Sequence, residues 1–227
     1  MVKLFIDTAS VKEIREFMGW GVISGVTTNQ KIFLAEKGAN FEERVKEILS
    51  LVNGPLHVEL TANSMEDMIL EATRYASWHP NVVIKVPMMG DGTGLKVTSK
   101  LAKMGVNVNM TLLMSANQVL LAALAGAVNA SLFYNRIKDA GGDPAKVVRE
   151  SRHILDDGSC KTQLLVGSIR KPDDIIEAAV SGAQIITVTP KIFAQLPYHP
   201  KTEETLKEFN QAWEEFKQAE GKILGSS

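Results

Sequence analysis

The chain has little cysteine and no excess of charge of either sign. Cys160 is the only cysteine in 227 residues, which excludes an internal disulfide and a cysteine-rich metal site and fits a reducing compartment. Lysine and arginine number 25 against 26 aspartate and glutamate, for a formal net charge of -1. Such a balance gives no basis for a broad electrostatic contact with nucleic acid or with an anionic membrane. We expect neither partner, and we expect any anion to be bound by a local group of residues.

Long apolar runs and metal-binding patterns are also missing. No 18 apolar residues follow one another, and Met1 precedes a charged residue and a strand-like run rather than the apolar segment of a signal peptide. The sequence therefore predicts a cytoplasmic protein that does not span a membrane. The four histidines lack the spacing of metal ligands. We predict neither a metal nor a cofactor.

Short apolar runs alternate with helical patterns along most of the chain, and the apolar runs are almost unbroken, which is typical of strands covered on both faces. The eight runs are 3–6, 22–26, 56–60, 82–86, 106–110, 128–133, 163–167 and 184–188. This alternation predicts an α/β fold, a single (β/α)8 TIM barrel forming one domain over residues 1–227. An open doubly wound sheet is the alternative, but no first βα turn carries a glycine-rich dinucleotide pattern.

An additional C-terminal helix is predicted at about 202–221, after the eighth strand. Its apolar residues recur on one face, at Leu206, Phe209, Ala212, Trp213 and Phe216. We expect this face to cover either the barrel of its own chain or a neighbouring subunit.

Lys85 lies within an otherwise apolar strand, and barrel enzymes carry their reacting groups at the carboxyl ends of the strands. A buried lysine is either paired or neutral, and a neutral amine can attack a ketone to form a Schiff base. The alternative is an ion pair with Glu59 or Asp7 that only bridges strands.

Two carboxylates, Asp7 and Glu59, are the candidate proton-transfer groups for such a lysine. They end the first and third strands, so one can act on a substrate hydroxyl while the other acts through a water held by Thr111. The alternative for Asp7 is the N-cap of the helix that follows Thr8.

Arg136, Ser168 and Arg170 form a candidate anion site around the sixth and seventh strands. Two guanidinium groups and a hydroxyl offer several donors to one anion, and barrels often bind phosphate near the seventh strand. The alternative is that both arginines form solvated salt bridges at the surface.

Six strand-end motifs together resemble those of the small transaldolases and fructose-6-phosphate aldolases, over essentially the full chain. They are Leu4–Ala9, Gly25–Asn29, Val83–Pro87, Asn109–Leu112 followed by Ser115 and Gln118, Asn135–Ile137 and Gly167–Arg170.

The resemblance implies a mechanism in which Lys85 attacks the C2 ketone of a ketose and Asp7 takes the C4 hydroxyl proton as the C3–C4 bond breaks. The three-carbon dihydroxyacetone unit stays bound until an aldose collects it, with Glu59 and Thr111 holding the relay water. The resemblance also implies substrate contacts at Thr28, Asn29, Asn109, Ser131, Phe133, Arg136, Ser168 and Arg170. Aldolases that release free dihydroxyacetone carry Gln and Tyr at positions 59 and 133, so transfer is favoured here.

Several residues near the pocket depart from the family pattern, namely Gln30, Leu132, Tyr134 and the 88–95 loop. We therefore hypothesise a donor with an anionic C6 tail, a sugar phosphate such as fructose 6-phosphate or a sulfosugar such as 6-deoxy-6-sulfofructose.

The resemblance further implies a homo-oligomer, a pentamer or decamer built with the C-terminal helix. The alternatives are an aldolase releasing free dihydroxyacetone, a non-catalytic sugar-phosphate binding barrel and a cofactor-free isomerase.

Overall fold

Eight parallel strands close into a barrel in the computed structural model, which describes residues 1–36, 38, 40–156, 158 and 160–224. The strands are β1 (Lys3–Asp7), β2 (Ile23–Thr27), β3 (Leu56–Glu59), β4 (Val82–Pro87), β5 (Val108–Leu113), β6 (Asn129–Phe133), β7 (Gln163–Gly167) and β8 (Ile185–Val188). Each strand pairs with the next in the chain, and β8 pairs with β1. The predicted (β/α)8 barrel is confirmed. Residues 37, 39, 157, 159 and 225–227 of the predicted domain lie outside the described residues.

Helices follow the strands in the predicted alternation. They are α1 (Val11–Met18), α2 (Gln30–Ala35), α3 (Phe41–Leu51), α4 (Met65–Ala76), α5 (Thr93–Lys103), α6 (Ala116–Leu124), α7 (Tyr134–Asp139), α8 (Pro144–Leu155), α9 (Pro172–Val180), α10 (Pro190–Phe193) and α11 (Pro200–Leu224). Ser10 caps α1 by accepting a hydrogen bond from the N–H of Glu13 at 3.4 Å. No helix in the described part of the chain combines the length and apolarity needed to cross a lipid bilayer.

The chain divides into two compact units, Met1–Phe193 and Ala194–Ser227. The first contains the barrel. The second contains α11, which begins two residues before the predicted start. Its apolar stripe is open to solvent in the single chain, with Phe209 69% and Trp213 57% exposed.

The barrel interior changes from apolar to polar along the strands. Phe5, Leu165 and Ile185 form a buried apolar cluster, and Gly25 leaves room for the Phe5 ring, since a Cβ atom there would lie 2.6 Å from it. Side chains alternate along a strand, so Asp7 and Thr187 are the next residues on the same faces as Phe5 and Ile185. The polar layer therefore lies toward the carboxyl ends of the strands.

Candidate active site

The Lys85 side chain is enclosed by the barrel and is only 7% exposed. Register places Glu59 of β3 directly beside Lys85 of β4, and Lys85 Nζ lies 3.0 Å from Glu59 Oε2. The amine also donates to the carbonyl oxygen of Thr28 at 2.7 Å. The ion pair considered as an alternative is therefore present. Its geometry also gives the amine a proton acceptor within hydrogen-bond distance, which a lysine nucleophile requires.

Asp7 ends β1 on the same polar layer. Its Oδ1 accepts a hydrogen bond from Thr27 Oγ1 at 2.6 Å, and Thr27 Oγ1 lies 2.6 Å from Thr187 Oγ1. Burial raises the pKa of Asp7, against the opposing effects of the Lys85 charge and the Thr27 hydrogen bond. The alternative role of Asp7 as a helix cap is wrong, because Ser10 caps α1. A carboxyl group with a raised pKa is suited to taking up and returning a proton.

Asn109 and Thr111 extend this layer along β5. Register places Asn109 beside Lys85 and Thr111 beside Pro87. Asn109 Oδ1 and Thr111 Oγ1 are buried and have no hydrogen-bond partner within the described residues. Buried polar atoms in proteins are nearly always hydrogen-bonded, so both atoms are suited to contacting a bound ligand or water.

His57 is a buried residue of the site that the sequence analysis missed. It precedes Glu59 by two residues on β3, its ring packs edge-on against Phe5, and its Nδ1 lies 2.9 Å from Asn109 Nδ2. Burial, followed by the Lys85 charge, lowers the pKa of His57 to about 3, which keeps the ring neutral at physiological pH. Side chains two positions apart on a strand lie on the same face, so His57 could have been located from Glu59. A search for metal-ligand spacing could not have found it.

Across the described ranges, no group of three or more His, Cys, Asp or Glu side chains is arranged to hold a metal ion.

Several predicted substrate contacts also have structural roles. Thr28 is buried and its hydroxyl donates to the His57 carbonyl oxygen at 2.7 Å. Asn29 caps α2, since its Oδ1 accepts from the N–H of Ile32 at 3.1 Å. Ser131 is buried on β6, and Phe133 ends that strand half-buried. Their contacts with substrate stay predictions.

The predicted anion site lies at the ends of β6 and β7, and one of its two arginines has a carboxylate partner. Arg170 forms a two-point pair with Asp139 of α7, at 2.7 and 2.5 Å. Hydrogen bonds from Arg170, followed by the charges of Arg170 and Arg136, lower the pKa of Asp139. Arg170 therefore forms the surface salt bridge considered as the alternative, with a carboxylate that the sequence analysis did not identify.

The raised pKa of Asp7 predicts how an Asp7→Asn variant changes stability with pH. A carboxyl group whose pKa is raised above the ordinary 3.8 destabilises the fold once it ionises. We expect Asp7→Asn to raise the free energy of unfolding. This gain should be smallest near about pH 3, where Asp7 is protonated in both the folded and the unfolded chain, and it should grow toward neutral pH. Urea unfolding at several pH values measures it. Glu16→Gln, at an exposed position on α1, is the control; a gain that shrinks as pH rises would contradict the raised pKa.

Comparison with known proteins agrees with this geometry. The family model described as Transaldolase/Fructose-6-phosphate aldolase matches residues 4–223. Three relatives are each described as a probable transaldolase. They come from Symbiobacterium thermophilum (43% identical over 213 residues, 94% of this chain and 97% of the relative), Roseiflexus sp. strain RS-1 (42% over 217 residues, 96% and 99%) and Desulforudis audaxviator (44% over 216 residues, 95% and 99%). The chain belongs to the transaldolase/fructose-6-phosphate aldolase family.

Proposed function

We propose that this protein is a Schiff-base transaldolase that moves a dihydroxyacetone unit from a ketose to an aldose. The observation that supports it most is the enclosed Lys85 amine 3.0 Å from a carboxylate. Asp7, a second carboxylate, ends a strand on the same polar layer of the barrel. We expect the reaction to need no cofactor, because side chains supply its nucleophile and its proton-transfer groups. The single cysteine fits our expectation of a cytoplasmic enzyme.

Glu59 and Lys85 perform the first step. Lys85 passes a proton to Glu59, and the neutral amine attacks the C2 carbonyl carbon of the ketose. The resulting carbinolamine takes up a proton and loses water, which leaves a protonated imine between Nζ and C2. Glu59 is the group placed to return that proton.

Asp7 performs the second step. It takes the C4 hydroxyl proton, the C3–C4 bond breaks, and the bonding electrons pass into the imine to give an enamine while the aldehyde leaves. In the reverse direction the enamine carbon attacks the acceptor aldehyde and Asp7 returns the proton to the new hydroxyl. Hydrolysis of the imine then frees Lys85.

Transfer is favoured over release of free dihydroxyacetone by two residues. By resemblance, aldolases that release it carry Gln and Tyr where this chain has Glu59 and Phe133. Release requires protonation of the enamine carbon, and the enamine survives for transfer when that proton arrives slowly. A second candidate, a sugar-phosphate binding barrel without catalysis, is favoured by the ion pair of Lys85, which satisfies the amine without chemistry.

Borohydride trapping separates the enzyme from the binding barrel. Incubation with fructose 6-phosphate and borohydride should add the reduced sugar mass to Lys85, because borohydride reduces an imine to a stable amine. Lys85→Met should lose both the adduct and three-carbon transfer, while Lys96→Met, at an exposed position on α5, should keep both.

A wild-type chain that gives no adduct with any ketose would contradict the proposal and favour the binding barrel. An adduct without transfer, but with ketose–aldose interconversion, would indicate an isomerase.

The anionic C6 group of the proposed donor leads to a second prediction, which concerns kcat/KM. Arg136, Ser168 and Arg170 favour an anion at C6, and each hydrogen bond to a charged group contributes about 1.5–3 kcal/mol. We expect kcat/KM for an anionic donor to exceed that for fructose by roughly a hundredfold. Steady-state rates with fructose 6-phosphate and 6-deoxy-6-sulfofructose identify the tail. Equal or better activity on the phosphate would remove the case for a sulfonate, and equal rates with fructose would contradict the anion site.

The exposed stripe of α11 supports assembly into a homo-oligomer, and the family resemblance implies a pentamer or decamer. Leu206, Phe209, Trp213 and Phe216 are each more than half exposed in the single chain, and contiguous apolar surface of this kind marks interaction sites. We expect Phe209→Ser with Trp213→Ser to convert the oligomer to monomers in sedimentation experiments. Glu208→Ser with Gln211→Ser, on the opposite side of the helix by its period, is the control. A monomeric wild type would contradict the prediction.

A further inference from the structure

The two arginines of the proposed anion site belong to different βα units. Arg136 lies in α7 after β6, and Arg170 lies in the turn between β7 and α9. Both are exposed long side chains, so their backbones must be fixed relative to each other before one anion can contact both.

Asn135, the residue immediately before Arg136, connects these two units. It is 6% exposed, and its Nδ2 donates to the carbonyl oxygen of Ser168 and to Asp174 Oδ2, both at 2.8 Å. Its backbone N–H also donates to the Ser168 carbonyl oxygen at 3.3 Å. Every one of these bonds crosses from the β6–α7 junction to the segment that follows β7.

Asp174, in the first turn of α9, is 1% exposed and fixes the other side of this connection. Besides the bond from Asn135, its Oδ2 accepts from the backbone N–H groups of Arg170 at 3.0 Å and Lys171 at 3.2 Å. A single carboxylate oxygen therefore accepts from the backbone of Arg170 and from the residue next to Arg136.

Ser168 requires this support because its φ of 60° lies in the left-handed region, which residues with a side chain rarely adopt. Such a conformation persists only where its surroundings hold it. Here the surroundings are the two Asn135 donors on its carbonyl oxygen.

We propose that Asn135 and Asp174 are positioning residues of the anion site, which hold Arg136 and the Ser168–Arg170 turn in one arrangement. The inference rests on the proposed function, since it requires a donor with an anionic tail. A helix cap alone would explain the backbone donors on Asp174. It would not explain a buried amide that joins Asp174 to the neighbouring βα unit, at the residue before the second arginine.

Asn135→Ala and Asp174→Ala test this role, with inorganic phosphate as the probe. We expect the inhibition constant of phosphate and the KM of fructose 6-phosphate to rise about tenfold, while kcat stays within about twofold. The KM of tail-free fructose and borohydride trapping of dihydroxyacetone on Lys85 should not change. Asp174→Asn, which keeps one oxygen acceptor, should restore much of the phosphate affinity.

Asp173→Ala is the matched control, because Asp173 is the neighbouring acidic residue of α9 and its side chain is 88% exposed. Equal losses with tailed and tail-free donors, or unchanged phosphate inhibition in the alanine variants, would overturn the inference. If Asp174→Ala does not fold, Asn135→Ala carries the test. A wild type that dihydroxyacetone fails to label at Lys85 would instead contradict the proposed function, so the two failures are distinguishable.

Discussion

The buried ion pair between Lys85 and Glu59 is the constraint around which the carboxyl end of the barrel is organised. Removing two charges from water is costly, and a buried pair adds little net stability even with good geometry. The pair is therefore stabilised by the rest of the fold, by the apolar layer of Phe5, Leu165 and Ile185 and by closure of the sheet. Replacing a buried ion pair with apolar residues is often neutral or stabilising, so stability alone does not account for the charges of Lys85 and Glu59.

Burial, together with the charges of this pair, shifts the pKa values of two neighbouring groups. Burial raises the pKa of Asp7 and outweighs the opposing charge of Lys85, whose amine lies 3.0 Å from Glu59. His57 is in the opposite position, because burial and the nearby amine both disfavour a second positive charge. Burial thus shifts two neighbours of the pair in opposite directions, raising the pKa of the Asp7 carboxyl and lowering the pKa of the His57 ring. Such separated pKa values are typical of acid–base sites.

Local patterns in the sequence predicted the strands. Side-chain contacts that depend on the register between distant segments were missed. The apolar runs located all eight strands, but β5 begins at Val108 and extends to Leu113, and its end contains Leu112 at a φ of 64°, which no composition pattern indicates. The Lys85–Glu59 ion pair could be named from the sequence, as the alternative to a Schiff-base lysine, because the two residues lie on consecutive strands. The contacts of His57 with β5 and of Asp139 with Arg170 join residues 52 and 31 positions apart, which periodicity does not relate.

Two of the three cationic groups expected to contact substrate, Lys85 and Arg170, already have a carboxylate partner, which is Glu59 for Lys85 and Asp139 for Arg170. Substrate binding then replaces the carboxylate partner of a cationic side chain with a group of the substrate, and it does not bury an unpaired charge. At the exposed Arg170 pair this exchange costs little, because surface ion pairs contribute little to stability. In the proposed mechanism, Glu59 accepts a proton before the Lys85 amine reacts, which joins carbonyl attack to the protonation of Glu59. On that proposal, the carboxylate that pairs with the lysine in the free protein also controls when the amine becomes a nucleophile.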